Sequence, residues 1–153
     1  MKKTKIIIFI LAILCLIKFL YIQNFNIKNY VYKHKYTNMT KNLKEITKED
    51  ILLLEAKKEP YIIYFGSMDC KYCIRNTDNT KNILNHFKKN KIHIYRYPIN
   101  MKTSQFEQTL NYFNLEAIPS IIYYNGVSRK KIDYKRINQE KGNKGIANFL
   151  KGE

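Results

Sequence analysis

Tyr61-Ile62-Ile63-Tyr64-Phe65-Gly66-Ser67-Met68-Asp69-Cys70-Lys71-Tyr72-Cys73 is the stretch on which the reading of this 153-residue chain turns. Its first five residues are apolar and β-prone without a break, the pattern of a central strand covered on both faces. Gly66 to Asp69 makes a tight connection, and a helix is expected to start at the Cys-x-x-Cys unit and run to about Lys89. A cysteine at the first turn of a helix meets unpaired backbone N–H groups and the positive end of the helix dipole, which favour its thiolate. The second cysteine lies one turn further on, close enough to close a small disulfide ring. Cys70 can therefore attack a disulfide and Cys73 can resolve the mixed disulfide that results; run backwards, the same steps oxidise a dithiol. Lys71 adds positive charge beside the thiolate, and Asp69 opposes it.

Two other uses of paired cysteines compete with this one. A structural zinc site takes four ligands, and the chain has no second Cys-x-x-Cys. His86 would sit about 20 Å along the same helix from Cys73, too far to share a metal; His93 is the only other candidate nearby. An inert structural disulfide is the remaining alternative. No metal and no other cofactor is expected at the pair.

Working outward, Thr47 followed by Asp50 reads as a capping-box start for a helix to about Lys58, with Ile51, Leu52, Leu53 and Leu54 as its apolar side. Pro60 stops it. Beyond the cysteines, Ile83, Leu84 and Phe87 give the helix an apolar face, and Ile92 to Tyr97 alternates like a second strand. Ser104 with Glu107 reads as a better capping box, opening a helix whose Phe106, Leu110 and Phe113 share one face. Ile118-Pro119 precedes the apolar strand Ser120 to Tyr124. Asn125-Gly126 then signals a hairpin into a strand from about Val127 to Tyr134. A last helix is expected near Gln139 to Leu150, weakened by Gly142 and Gly145. Parallel strands joined by a helix, followed by an antiparallel hairpin, make an α/β fold with a mixed sheet and helices on both faces.

The N-terminus is of another kind. Lys2, Lys3 and Lys5 precede an uninterrupted apolar run from Ile6 to Ile17, which resumes after Lys18 as Phe19 to Ile22. A basic head before such a run is the layout of an export signal. No Ala, Gly or Ser occurs between Leu16 and Tyr36, so there is no small-residue cleavage site, and bulky Leu14 argues against lipidation of Cys15. The segment is expected to stay as a single-pass membrane helix, 1–22, rising about 26 Å over its apolar run, close to a bilayer's hydrocarbon thickness. Residues 23–42, rich in Asn, Lys and Tyr without a period, read as a stem. Residues 43–153 form the domain, expected outside the cytoplasm.

The net charge of +16 invites a nucleic-acid reading. Its lysines are scattered, however, without a run of five, a zinc-finger spacing or an RNA-binding aromatic motif, so nucleic acid is not an expected partner. An anionic lipid surface or cell-wall polymer suits so basic a domain better.

Over about Leu43 to Leu150 these residues resemble the thioredoxin superfamily. The match lies in the combination of strand Tyr61–Phe65, Cys70-Lys71-Tyr72-Cys73, and Ile118-Pro119-Ser120 ahead of a strand and an Asn-Gly turn. With its anchor, the chain is similar to the small membrane-bound disulfide-formation and bacteriocin-transport accessory proteins of Gram-positive bacteria. The resemblance implies a thioredoxin-like fold, with Pro119 cis and packed against the cysteine pair. Ile118 would offer backbone groups to an extended substrate, beside Lys71 and Tyr72. It implies an enzyme, a thiol–disulfide oxidoreductase acting on cysteines of exported proteins or peptides, with a membrane or extracellular redox partner. An accessory or scaffold role in a peptide-export system is the alternative. Two positions depart from the family pattern: Asp69 replaces a Trp, and Tyr64 replaces a buried acid that assists proton removal from the second thiol. The Lys-Tyr dipeptide also differs from the Gly-Pro of thioredoxin, and together these departures tilt the expectation toward oxidation or isomerisation.

Overall fold

Nothing in the first 59 residues breaks a helix, since the chain's first proline is Pro60 and its first glycine is Gly66. The computed structural model describes residues 2–133. It carries one helix, α1, from Lys2 to Thr40. Most of the stretch 23–42, read as a stem because it shows no period, is therefore helical, as far as Thr40. Over Ile10–Thr40 this helix is long and apolar enough to cross a membrane, and its most apolar window is not buried in protein. That makes it a candidate membrane span.

The structure divides into two compact units between His34 and Lys35, so the second unit begins eight residues before the expected domain boundary. Tyr36 and Thr40 are the reason, for both are buried within it. In order it contains β1 (Lys44–Glu45), α2 (Lys48–Ala56), β2 (Tyr61–Phe65), α3 (Lys71–Arg75) and α4 (Thr77–Lys89). There follow β3 (His93–Tyr97), α5 (Gln105–Phe113), β4 (Ser120–Tyr124) and β5 (Arg129–Ile132). The sheet order is β1-β3-β2-β4-β5. β3 runs parallel to both β1 and β2, while β4 is antiparallel to β2 and β5 antiparallel to β4. The two-residue strand β1 was not expected.

Central β2 is buried at every residue, each large side chain contributing about 1.5–3 kcal/mol. Successive side chains serve opposite layers. On one face the Tyr61 hydroxyl donates to Glu55 of α2 at 2.5 Å, and the Phe65 ring lies 4.8 Å from that of Phe113 on α5. On the other, Tyr64 meets Tyr36, and Tyr123, the β4 partner of Ile62, packs on Phe87 of α4 at 5.1 Å. The mixed sheet is thus covered by helix on both sides, the thioredoxin-like α/β arrangement expected.

Several local expectations are corrected. Leu52 and Leu53 are exposed, and Ile51 alone is buried on α2, because the helix turns only a narrow stripe to the sheet. The helix after Cys70 is broken at Asn76: the Asn76 amide donates to the Tyr72 carbonyl, and the Thr77 hydroxyl bonds the carbonyls of Ile74 and Cys73. Such back-bonding bends helices. Ser104 makes no cap, having helical dihedrals itself, whereas the Thr47–Asp50 box forms in both directions. The Asn125 side chain accepts from the N–H groups of Val127 and Ser128, and Gly126 takes φ +93°, so the hairpin strand starts only at Arg129. Tyr134 and the helix expected near Gln139 to Leu150 lie outside the described residues.

Candidate redox site

The register places the site. Phe65, last in β2, pairs with Ser120, first in β4. The loop that follows one strand and the loop that precedes the other therefore meet at the same end of the sheet. The first carries Gly66 to Cys70; the second carries Ile118 and Pro119, joined by a cis peptide bond. Cys70 and Cys73 form a disulfide with Cα atoms 5.2 Å apart, a separation that a disulfide spans.

Cys70 is the N-cap of α3, and its sulfur accepts the backbone N–H of Cys73 at 3.0 Å. The sulfur thus takes the capping role usually filled by a Ser or Asp oxygen. The same sulfur lies 3.7 Å from the Ile118 carbonyl oxygen. Cys73 is fully buried while Cys70 keeps 4% exposure, so an incoming group reaches Cys70 first. Lys71 and Tyr72 are exposed beside it, whereas Ile118 and Pro119 are buried. Asp69 is in an ion pair with Lys102 at 3.8 Å. The structure thus brings together every residue the sequence singled out for the site: Cys70, Lys71, Tyr72, Cys73, Ile118 and Pro119.

Two neighbours, Thr37 and Lys102, were not foreseen, and a third, Tyr64, was singled out only as a departure from the family pattern. The Thr37 hydroxyl lies 3.9 Å from the sulfur of Met68, two residues before Cys70. Lys102 reaches Asp69 from the loop after β3. The Tyr64 phenol folds back beneath Gly66, where any Cβ would overlap it. That hydroxyl is buried and meets no hydrogen-bond partner among the described residues. Burial, reinforced by the neighbouring Tyr36 phenol, pushes its pKa well above the ordinary tyrosine value. Tyr64 therefore stays neutral where the family pattern has an acid. Only the departure at position 64 was visible beforehand; Thr37 sits in a stretch with no readable period.

A disulfide capping a helix beside a cis-proline loop, on a five-stranded mixed sheet, defines a thioredoxin-like redox domain. Residues 47–133, more than half of the chain, match the family model of the thioredoxin-like domain. The chain belongs to that family. No curated protein sequence matches it. Among solved structures, the J-Trx1 fragment of ERdj5 is similar at 10% identity and a TM-score of 0.51, over 76% of this chain and 54% of that one. Mitochondrial thioredoxin 3 from Saccharomyces cerevisiae, in its oxidized form, is similar at 12% identity and a TM-score of 0.49, over 74% and 98%. A DsbH oxidoreductase gives 16% and 0.44, over 72% and 83%. At such identities the likeness is one of fold.

Proposed function

We propose that this protein is a membrane-anchored thiol–disulfide oxidoreductase that oxidises or rearranges cysteine pairs of exported proteins or peptides. The observation that carries the reading is the Cys73 N–H donated to the Cys70 sulfur. A donor held there stabilises a Cys70 thiolate, hence the reduced pair, and a stabilised reduced form makes a disulfide more oxidising.

In the oxidising direction a substrate thiolate attacks the Cys70 sulfur. The Cys70–Cys73 bond breaks, its electron pair leaves on the Cys73 sulfur, which takes up a proton, and substrate and Cys70 are joined. A second substrate thiolate then attacks the substrate sulfur of this mixed disulfide, and Cys70 departs as the thiolate held by the Cys73 N–H. Two electrons pass from substrate to protein, and a disulfide-bearing partner in the membrane or outside it takes them back. When the reduced pair instead opens a substrate disulfide, as rearrangement requires, Cys70 is the nucleophile and Cys73 the resolving thiol. Ile118 and Pro119 form the edge along which an extended substrate pairs, with Lys71 and Tyr72 on the rim.

The equilibrium potential of the pair against glutathione tests the direction. A value near about −120 mV is expected, and one near about −270 mV, the thioredoxin range, would overturn it. Cys73→Ser should accumulate a mixed disulfide with substrate, and Cys70→Ser should abolish exchange. A Cys70→Ser protein with full biological function would leave only a scaffold role. The anchor reading puts the domain outside the cytoplasm, because a basic head of Lys2, Lys3 and Lys5 before the apolar run is the layout of an export signal. A membrane-impermeant thiol reagent applied to intact cells after reduction should label Cys70; labelling only after lysis would reverse the orientation.

A further inference from the structure

The redox chemistry makes no use of the opposite end of the sheet, where a cavity of about 460 Å³ opens between α4 and the start of β3. Lys81, Leu84, Asn85 and Lys88 line it from one stripe of α4, at the i, i+3, i+4, i+7 spacing of a single helix face. Lys91 and His93 close it from the turn into β3. Strand β1 is too short to cover this edge: its two residues pair with Tyr95 and Arg96, leaving His93 and Ile94 without a partner in β1.

Two properties set the chemistry of an occupant. First, no Asp or Glu lines the cavity, and among the described residues none of Lys81, Lys88 and Lys91 forms an ion pair. The amides of Asn42 and Asn85 add further donors. A second basic cavity, with His86 and Lys89, adjoins it and shares Asn85 and Lys88. Second, part of the lining is apolar, contributed by Met39, Leu84 and Ile92. Lys91 itself holds φ +58°, a backbone region where Gly or Asn costs less.

We infer that this cavity binds an organic phosphate, its phosphate held by Lys81, Lys88, Lys91 and the Asn amides and its carbon part resting on Met39, Leu84 and Ile92. Lysines and amides supply donors without a competing carboxylate, the arrangement a phosphate ester requires, and the apolar part of the lining favours an ester over a bare inorganic ion. The site lies at the first residues of β3, whereas Cys70 follows the last residue of the parallel strand β2. About 13 Å of strand separates the two ends, so the ligand and a disulfide substrate do not compete.

The test uses the full chain in nanodiscs of uncharged phosphatidylcholine, titrated with phenyl phosphate and, separately, with inorganic phosphate. Saturable one-to-one binding of the ester, at least tenfold tighter than inorganic phosphate, is expected. Lys81→Gln/Lys88→Gln/Lys91→Asn should weaken it at least thirtyfold. The charge-matched control Lys57→Gln/Lys58→Asn/Lys131→Gln, which also places Asn at a positive-φ lysine, should change it less than threefold. Equal weakening in both triples, or no saturation, would overturn the site in favour of unspecific attraction to a basic surface. Repeating the titration with phosphatidylglycerol in the disc identifies the source: a tenfold loss of apparent affinity means that lipid headgroups fill the cavity, and no change means a soluble ester does.

Discussion

The ring of Tyr36, near the end of α1, lies 6.4 Å from that of Tyr64 in the central strand, and both residues are buried. The end of the N-terminal helix is therefore part of the layer that covers the sheet. Tyr36→Ala should cost about 3–5 kcal/mol in urea unfolding, as the loss of a buried aromatic does. Tyr64→Phe should behave oppositely, because it removes a hydroxyl that satisfies no hydrogen bond. It should be neutral or raise stability by about 1 kcal/mol. A loss above that size would mean that the hydroxyl has a partner in solution.

Gly66→Ala sets a Cβ against the Tyr64 phenol. Overpacking of this kind costs about 1–3 kcal/mol. Since the Tyr64 hydroxyl is the nearest obstacle, Tyr64→Phe should recover part of the loss. A double-mutant cycle by chemical denaturation measures the coupling, and strict additivity would contradict the packing described.

The two serine or threonine caps separate sequence signal from structure. Thr47→Ala removes a hydroxyl that accepts the Asp50 N–H at 3.2 Å and should cost about 1 kcal/mol. Ser104→Ala removes no capping bond and should change stability by less than about 0.5 kcal/mol. The two variants can be compared in one thermal-melt series.

Glu55 gives the protein an acid-sensitive tie. Burial pushes its pKa up, but hydrogen bonds from Arg129 and Tyr61 and the Arg129 charge outweigh this and hold it below the ordinary 4.5. Its stabilising effect is therefore complete above the unfolded-state pKa and disappears as pH falls through the lower folded value. Urea midpoints should fall more steeply for the wild type than for Glu55→Gln between pH 5 and pH 3. Equal slopes would show that the pair with Arg129, bonded at 2.6 and 2.9 Å, contributes nothing.

Local chemistry made much of this protein legible in advance. Tyr61–Phe65 is apolar without interruption, and only a strand buried on both faces suits such a run; the strand has those limits. Thr47 and Asp50 cap by contacts three residues apart, so their reading needs no knowledge of the rest of the chain. The Cys-x-x-Cys spacing likewise dictates a sulfur at a helix start with its partner one turn on. Reading by local pattern failed at Ser104, whose helical dihedrals at the cap position leave no side-chain cap, and at Leu52 and Leu53, whose exposure depends on how far α2 faces the sheet.

The sequence by itself determined the central strand, the cysteine pair and the apolar N-terminal helix, because each is set by neighbours within a turn or two of chain. Only the tertiary structure decided that Tyr36 and Thr37 belong with Tyr64 and Met68, that Lys102 reaches Asp69, and that lysines from α4 and the turn into β3 ring one cavity. Those relations join residues far apart in the chain. Their pairing is fixed by strand register and helix packing, which no short stretch of sequence encodes.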